Sequence, residues 1–190
     1  MVRLCFFTLL SGLLLISFAA CQNNNTSQGD NSSEIIASEE PTAAEKAAAK
    51  TKALLAKYPS QEGHIQLHWD TLANMGFDIQ YVEELEGEVP FPVFSETVKE
   101  LEGELIIIEG YVIPFEETGD ETVVFLSAFP YTQCFFCGAA GPESVIDILT
   151  DEKLNDLEMD EKTTFRGRLR LNGDDLDYLN YIMDDAELVE

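Results

Sequence analysis

Leu105-Ile106-Ile107-Ile108-Glu109-Gly110-Tyr111-Val112-Ile113, closed by Pro114, is a β-branched apolar run of the kind that forms a buried strand and stops where a proline removes the next ladder donor. Residues 116–120 carry turn chemistry, and residues 122–127 return as the second strand of a hairpin. Residues 144–149 set Val145, Asp147 and Leu149 at every second position and read as a third strand. In residues 162–171, Phe165, Gly167, Leu169 and Leu171 alternate with Arg166, Arg168 and Arg170, which is a fourth strand, followed by an Asn172-Gly173 turn. Residues 176–183 fit helix or strand, and residues 186–189 close the sheet.

A Gly-Tyr strand, a hairpin, a third strand, an insertion and two more strands predict a mainly β (α+β) domain over residues 63–190. Its expected architecture is a small OB-like Greek-key β-barrel with an N-terminal extension. In that extension, residues 63–69 alternate and place Ile65, Leu67 and Trp69 on one face of a strand. Residues 70–75 form a helical turn capped by Asp70 and ended by Gly76. Residues 78–82 are a short strand, residues 83–92 with Pro90 and Pro92 a loop, and residues 95–101 a helix stopped near Gly103. Residues 151–159 are an acidic loop packed through Leu154 and Leu157. Upstream, residues 41–60 are rich in alanine and lysine and stop at Pro59, which predicts a helix. Its apolar bulk is only Leu54, Leu55 and Tyr58, so it reads as a solvated spacer, with Lys46, Lys50, Lys52 and Lys57 able to rest on acidic surface or on headgroups.

The first twenty residues have the make-up of a signal peptide: Arg3, an apolar run over residues 4–18, and Phe18-Ala19-Ala20-Cys21. Small residues directly before a cysteine resemble a bacterial lipobox, so Cys21 is the predicted acylated N-terminus, carrying palmitate-type lipid as a membrane anchor. Residues 21–40 are polar and predict a disordered tether. Gln22 is not the aspartate that retains enteric lipoproteins at the inner membrane, so the expected location is the cell envelope, on the outer membrane facing the periplasm or the cell surface. The net charge of −25 argues against nucleic acid and favours cationic partners, divalent ions or an envelope protein.

With Cys5 removed and Cys21 acylated, Cys134 and Cys137 remain for chemistry. Outside the cytoplasm two cysteines three apart are expected as a small-loop disulfide. The same spacing suits zinc or another soft metal ion. His64 and His68 are the chain's histidines; on one strand they sit roughly 13 Å apart and cannot chelate together, so at most one joins the cysteines. Dithiol catalysis needs a lowered thiolate pKa, and no His or Lys is near the pair in sequence. A c-type haem is excluded by Gly138 at the position of the ligating histidine. Phe125, Phe129, Tyr131, Phe135 and Phe136 are expected to complete the core and cover the open end of the barrel. Arg166, Arg168 and Arg170 form a cationic stripe that either pairs with cross-strand carboxylates or takes an acidic ligand. No nucleophile elbow, phosphate loop or H-E-x-x-H occurs.

Trp69-Asp70-x-Leu72, Gly110-Tyr111-x-x-Pro114, Phe125-Leu126-x-x-x-x-Pro130 and the cysteine that follows resemble the bacterial domain of unknown function 3299. Cys-Phe-Phe-Cys-Gly-x-Ala-Gly-Pro-Glu (residues 134–143) looks more closely like a lipoprotein branch common in the Bacteroidetes. Where the wider family carries Cys-Ile-His and a proline run, this chain has Cys134, then Phe136 in place of the histidine, an additional Cys137, and residues 138–142 in place of the prolines. The resemblance implies a fold and export rather than an activity. The expected function is that of an envelope lipoprotein with a non-enzymatic binding role, for a protein partner or a metal, centred on the Cys134/Cys137 loop. The alternative is a thiol-redox or metal-handling protein that cycles the same two cysteines.

Overall fold

The computed structural model describes residues 40–114, 123–151, 153–154 and 157–189. Cys21, the signal peptide, the tether and the 116–120 turn lie outside the described residues. What is described from Pro41 onward belongs to the compact unit Pro41–Glu190. It is mainly β, with three helices, α1 (Ala43–Lys57), α2 (Trp69–Leu72) and α3 (Glu96–Leu101), and nine strands.

The 105–114 run is strand β5 (Leu105–Pro114). It pairs antiparallel with β6 (Val123–Ser127), Tyr111 facing Ser127 and Ile113 facing Phe125. β6 pairs with β7 (Val145–Leu149), and β7 lies parallel to β9 (Tyr181–Leu188) through Asp147 and Ile182. β9 pairs antiparallel with β8 (Lys162–Leu171), with an irregularity between Arg166 and Arg168, and β8 pairs antiparallel with β5 from Leu105↔Arg168 to Tyr111↔Lys162. The short strands β1 (Ser60–Gln61) and β2 (His64–Gln66) extend this mixed sheet, β2 parallel to β5. The stretch left between helix and strand, residues 176–183, therefore divides into a loop and the first three residues of β9.

Ile106, Ile108, Val112, Leu126, Ile146, Ile148, Phe165, Leu169, Tyr181 and Met183 form the core. β7 is buried at four of its five positions, so the expected alternation is absent and Asp147 is only 3% exposed. Gly110 lies where a Cβ would meet the Ser127 carbonyl oxygen at 2.7 Å and the Trp69 indole at 3.0 Å. Its missing side chain lets the indole lie across β5, where Trp Nε1 donates to the Glu109 carbonyl at 2.8 Å.

Four expectations are corrected. Trp69 does not continue a strand; it opens α2, whose N-cap is His68 without a side-chain cap bond, not Asp70. Gly76 ends no helix but lies within β3 (Met75–Val82). The 83–92 loop is a single 3₁₀ turn (Glu83–Leu85) followed by β4 (Gly87–Phe94), paired with β3 over its whole length as a separate two-stranded sheet. Pro90 and Pro92 argue against a central strand, but each strand of a two-stranded sheet has an outer edge where a missing N–H goes unnoticed. The helical spacer is docked rather than solvated. Leu54 is 5% exposed within the core, and Leu55 and Tyr58 pack against it. Glu104, itself buried, accepts from Thr51 Oγ1 at 2.7 Å and pairs with Lys50 Nζ at 3.0 Å, while Lys57 pairs with Glu100 at 2.6 Å. A capping box, Thr42 with Glu45, starts α1. None of the helices among the described residues is long and apolar enough to cross a membrane.

Candidate functional site

The segment between β6 and β7 is three successive 3₁₀ turns, Tyr131–Gln133, Phe135–Cys137 and Pro142–Ser144. Its folding is local. The Cys134 carbonyl accepts from the Cys137 and Ala139 amides at 3.3 Å each. Gly138 supplies the left-handed φ of +73° that ends the second turn. The Tyr131 amide donates to Asp160 Oδ1 at 2.6 Å, pinning the loop to the insertion before β8.

Both cysteines are free thiols. Cys134 is buried and Cys137 exposed. Desolvation, then the neighbouring Cys134 sulfur, push the Cys137 thiol above its ordinary value, and a hydrogen bond with Tyr131 only partly opposes them. That direction is opposite to the one an attacking thiolate needs. Among the described residues no three His, Cys, Asp or Glu side chains converge to hold a metal ion, so the two-cysteine, two-histidine set is not assembled. His64 sits on β2 with Nδ1 3.2 Å from the Glu62 carbonyl oxygen. His68 lines a groove of about 360 Å³ with Trp69, Gln61, Gln66, Glu109 and Thr164.

The arginine stripe is taken up internally. Arg170 reaches Asp184 with two parallel bonds, Nε to Oδ2 at 2.6 Å and Nη2 to Oδ1 at 2.8 Å, the bidentate geometry that suits guanidinium and carboxylate. Arg166 pairs with Glu187 at 2.7 Å and Glu62 at 3.4 Å, and Arg168 donates to the Gly103 carbonyl at 2.5 Å.

The loop aromatics do not finish the core. Phe129, Tyr131 and Phe136 are each about two-fifths exposed. Phe136 stacks tilted on Phe125 at 4.8 Å and edge-on to Phe135 at 5.4 Å. Phe135 and Pro142 instead form one wall of a second cavity, about 480 Å³ and mostly apolar, whose other walls are Phe77 and Pro90 of the β3–β4 hairpin and Tyr178, Leu179 and Asn180 before β9. Three separate segments of sequence meet here. The 172–180 wall is organised by Asn172, whose amide donates to the Asp175, Tyr178 and Leu179 carbonyls at 2.6–3.1 Å and whose Oδ1 accepts from the Asp175 amide at 3.0 Å. Asp147 completes it by accepting from the Leu179 amide at 2.8 Å. Burial raises the Asp147 carboxyl to about 6, against the opposing effects of the Leu179 amide and Arg170. Sequence reading missed this cavity because residues 83–92, which supply Pro90, read as a loop rather than as the strand that pairs with the one beside Phe77.

No protein-family model matches the chain, and no curated protein matches it. Among solved structures, the crystal structure of a DUF3299 family protein from Pseudomonas aeruginosa PAO1 is similar, with a TM-score of 0.43 and 17% identity over 67% of this chain and 97% of that one.

Proposed function

We propose that this chain is a bacterial envelope lipoprotein, acylated at Cys21 and tethered by residues 21–40 to the outer membrane, whose OB-like domain binds a protein partner beside the Cys134/Cys137 loop. The barrel reading is supported by strand pairing that runs β5, β6, β7, β9, β8 and back to β5, with the parallel pair between the third and fifth of these strands in chain order. The observation that carries the binding role is the apolar cavity of about 480 Å³ walled by the cysteine loop, the hairpin and the 178–180 segment. It is of ligand-pocket size, and Tyr178 (44% exposed) and Phe77 (40% exposed) stand at its walls. Such a pocket takes an apolar or aromatic anchor from a partner surface. Against the thiol-redox alternative stand the burial of Cys134 and the raised Cys137 thiol.

The test places a photoreactive phenylalanine analogue at Tyr178 in the full chain in cells, with Lys52 on α1 as the control position. A discrete adduct from position 178 alone supports the reading; no adduct, or the same adducts from both positions, overturns it. Metabolic labelling with palmitate, lost in Cys21→Ser, tests the anchor in the same strain.

A further inference from the structure

The β3–β4 hairpin exposes what folded domains usually cover. Phe77, Ile79 and Tyr81 are 40%, 65% and 66% exposed, and successive odd positions of one strand share a face. Their cross-strand neighbours on that face are Pro92, Pro90 and Glu88. The two prolines also fix which way the backbone points. A hydrogen-bonded antiparallel pair exchanges both N–H···O bonds, and proline has no N–H to exchange. Phe77↔Pro92 and Ile79↔Pro90 are therefore pairs of the other kind, whose N–H and C=O groups turn away from the partner strand. On β4 that outward edge lacks donors at Pro90 and Pro92. On β3 it offers the amides and carbonyls of Phe77, Ile79 and Tyr81, and among the described residues no other backbone bond engages them. The hairpin is closed on its β4 side and open on its β3 side.

Charge adds the second observation. Residues 75–94 contain Asp78, Glu83, Glu84, Glu86 and Glu88 and no lysine or arginine, and none of these carboxylates has an ion-pair partner among the described residues. A second copy of this strongly acidic chain would bring like charges together along such an edge.

We propose that the outer edge of β3 is a β-augmentation site for an extended segment of a partner protein with alternating apolar residues and flanking lysines or arginines. The added strand takes its main-chain bonds from Phe77, Ile79 and Tyr81, lays its apolar side chains beside theirs, and sets its cations against the acidic hairpin end. This rests on the reading of the domain as a protein-binding module and specifies where the partner's chain lies: along the strand whose Phe77 also walls the apolar cavity.

The probe is an alternating Lys-Val peptide, titrated against the full chain in detergent beside an analogue N-methylated at every residue, which keeps charge and side chains but has no N–H to pair along either edge. The unmethylated peptide is expected to bind at least about tenfold more tightly and to slow hydrogen exchange at the 77, 79 and 81 amides. Ile79→Pro, which removes an outward donor and leaves the β4 ladder intact, is expected to erase that difference; should that variant misfold, hydrogen exchange at the 77, 79 and 81 amides of the unaltered chain decides, and peptide binding without slowed exchange there overturns the proposal. Equal binding of the two peptides means charge attraction only and overturns the proposal. So does a concentration-dependent dimer that Ile79→Pro abolishes without peptide protection of the edge, because the occupant is then a second copy. If edge protection occurs while position 178 gives no adduct, the pocket reading fails and the edge stands; the reverse result removes the edge alone.

Discussion

The Tyr181 hydroxyl donates to the Leu72 carbonyl at 2.8 Å. This bond joins β9 to α2 across most of the domain's sequence, and both residues are completely buried. The same hydroxyl lies 3.2 Å from Met75 Sδ, and the ring packs tilted on Phe94 at 5.7 Å. One side chain thus secures the turn that leads into β3 and the strand that ends the hairpin. Removing the hydroxyl leaves the Leu72 carbonyl buried without its partner. Tyr181→Phe is expected to cost about 1–3 kcal/mol, and Tyr181→Ala about 3–5 kcal/mol, read as shifts of the urea midpoint at constant slope.

Asp147 makes stability depend on pH. Burial lifts its carboxyl from the ordinary value of 3.8 to about 6, so the folded chain holds a proton that the unfolded chain releases. The contribution is fully present below the unfolded value and is lost as pH rises through the folded one. Urea titrations are expected to show stability from this group falling between pH 4 and 6, by up to about 3 kcal/mol. Asp147→Asn is expected to flatten that window; an unchanged slope would show that other carboxylates set it.

Gly110 permits close approach rather than an unusual backbone conformation. A methyl group there would meet the Ser127 carbonyl and the Leu126 side chain at 2.7 and 2.8 Å, and the carbonyl belongs to the sheet and cannot move aside. Gly110→Ala is expected to cost about 1–3 kcal/mol and to shift the fluorescence of Trp69, whose indole it would displace.

The two cysteines should react in sequence, not together. Cys137 is exposed and Cys134 is not, so iodoacetamide is expected to label one thiol in the native chain and the second only in denaturant. Because the Cys137 thiol is raised, its labelling rate should climb at a pH above that of a free cysteine. Fast labelling at neutral pH would restore the redox alternative.

These cases show what could be read in the sequence. The β5 run, the hairpin to β6 and the arginine-bearing β8 announce themselves because burial dictates residue type over contiguous positions. The β3–β4 hairpin does not. Its apolar residues serve an exposed face, and two prolines occupy strand positions that only an outer edge tolerates. Helix α1 was legible as a helix, and Lys50 and Lys57 as able to rest on acidic surface, but the burial of Leu54 and the choice of Glu104 were not, since only the fold brings that residue to Lys50 and Thr51. Asp147 shared its every-second positions with Val145 and Leu149 in the sequence; the amide its carboxylate accepts from is that of Leu179, a long-range contact with no local signature.

Asn172 has a bearing on timing as well as shape. Its single amide holds five backbone groups of the 172–180 segment in place before anything arrives. One wall of the cavity is thus ordered during folding, and a visitor finds it preformed. Complexes made there should differ mainly in how long they last, since preorganised surfaces meet their partners at similar rates and part at different ones. Exchanging Asn172 for aspartate, nearly the same in size, would point a carboxylate at three carbonyl oxygens and turn a fixed wall into a fluctuating one.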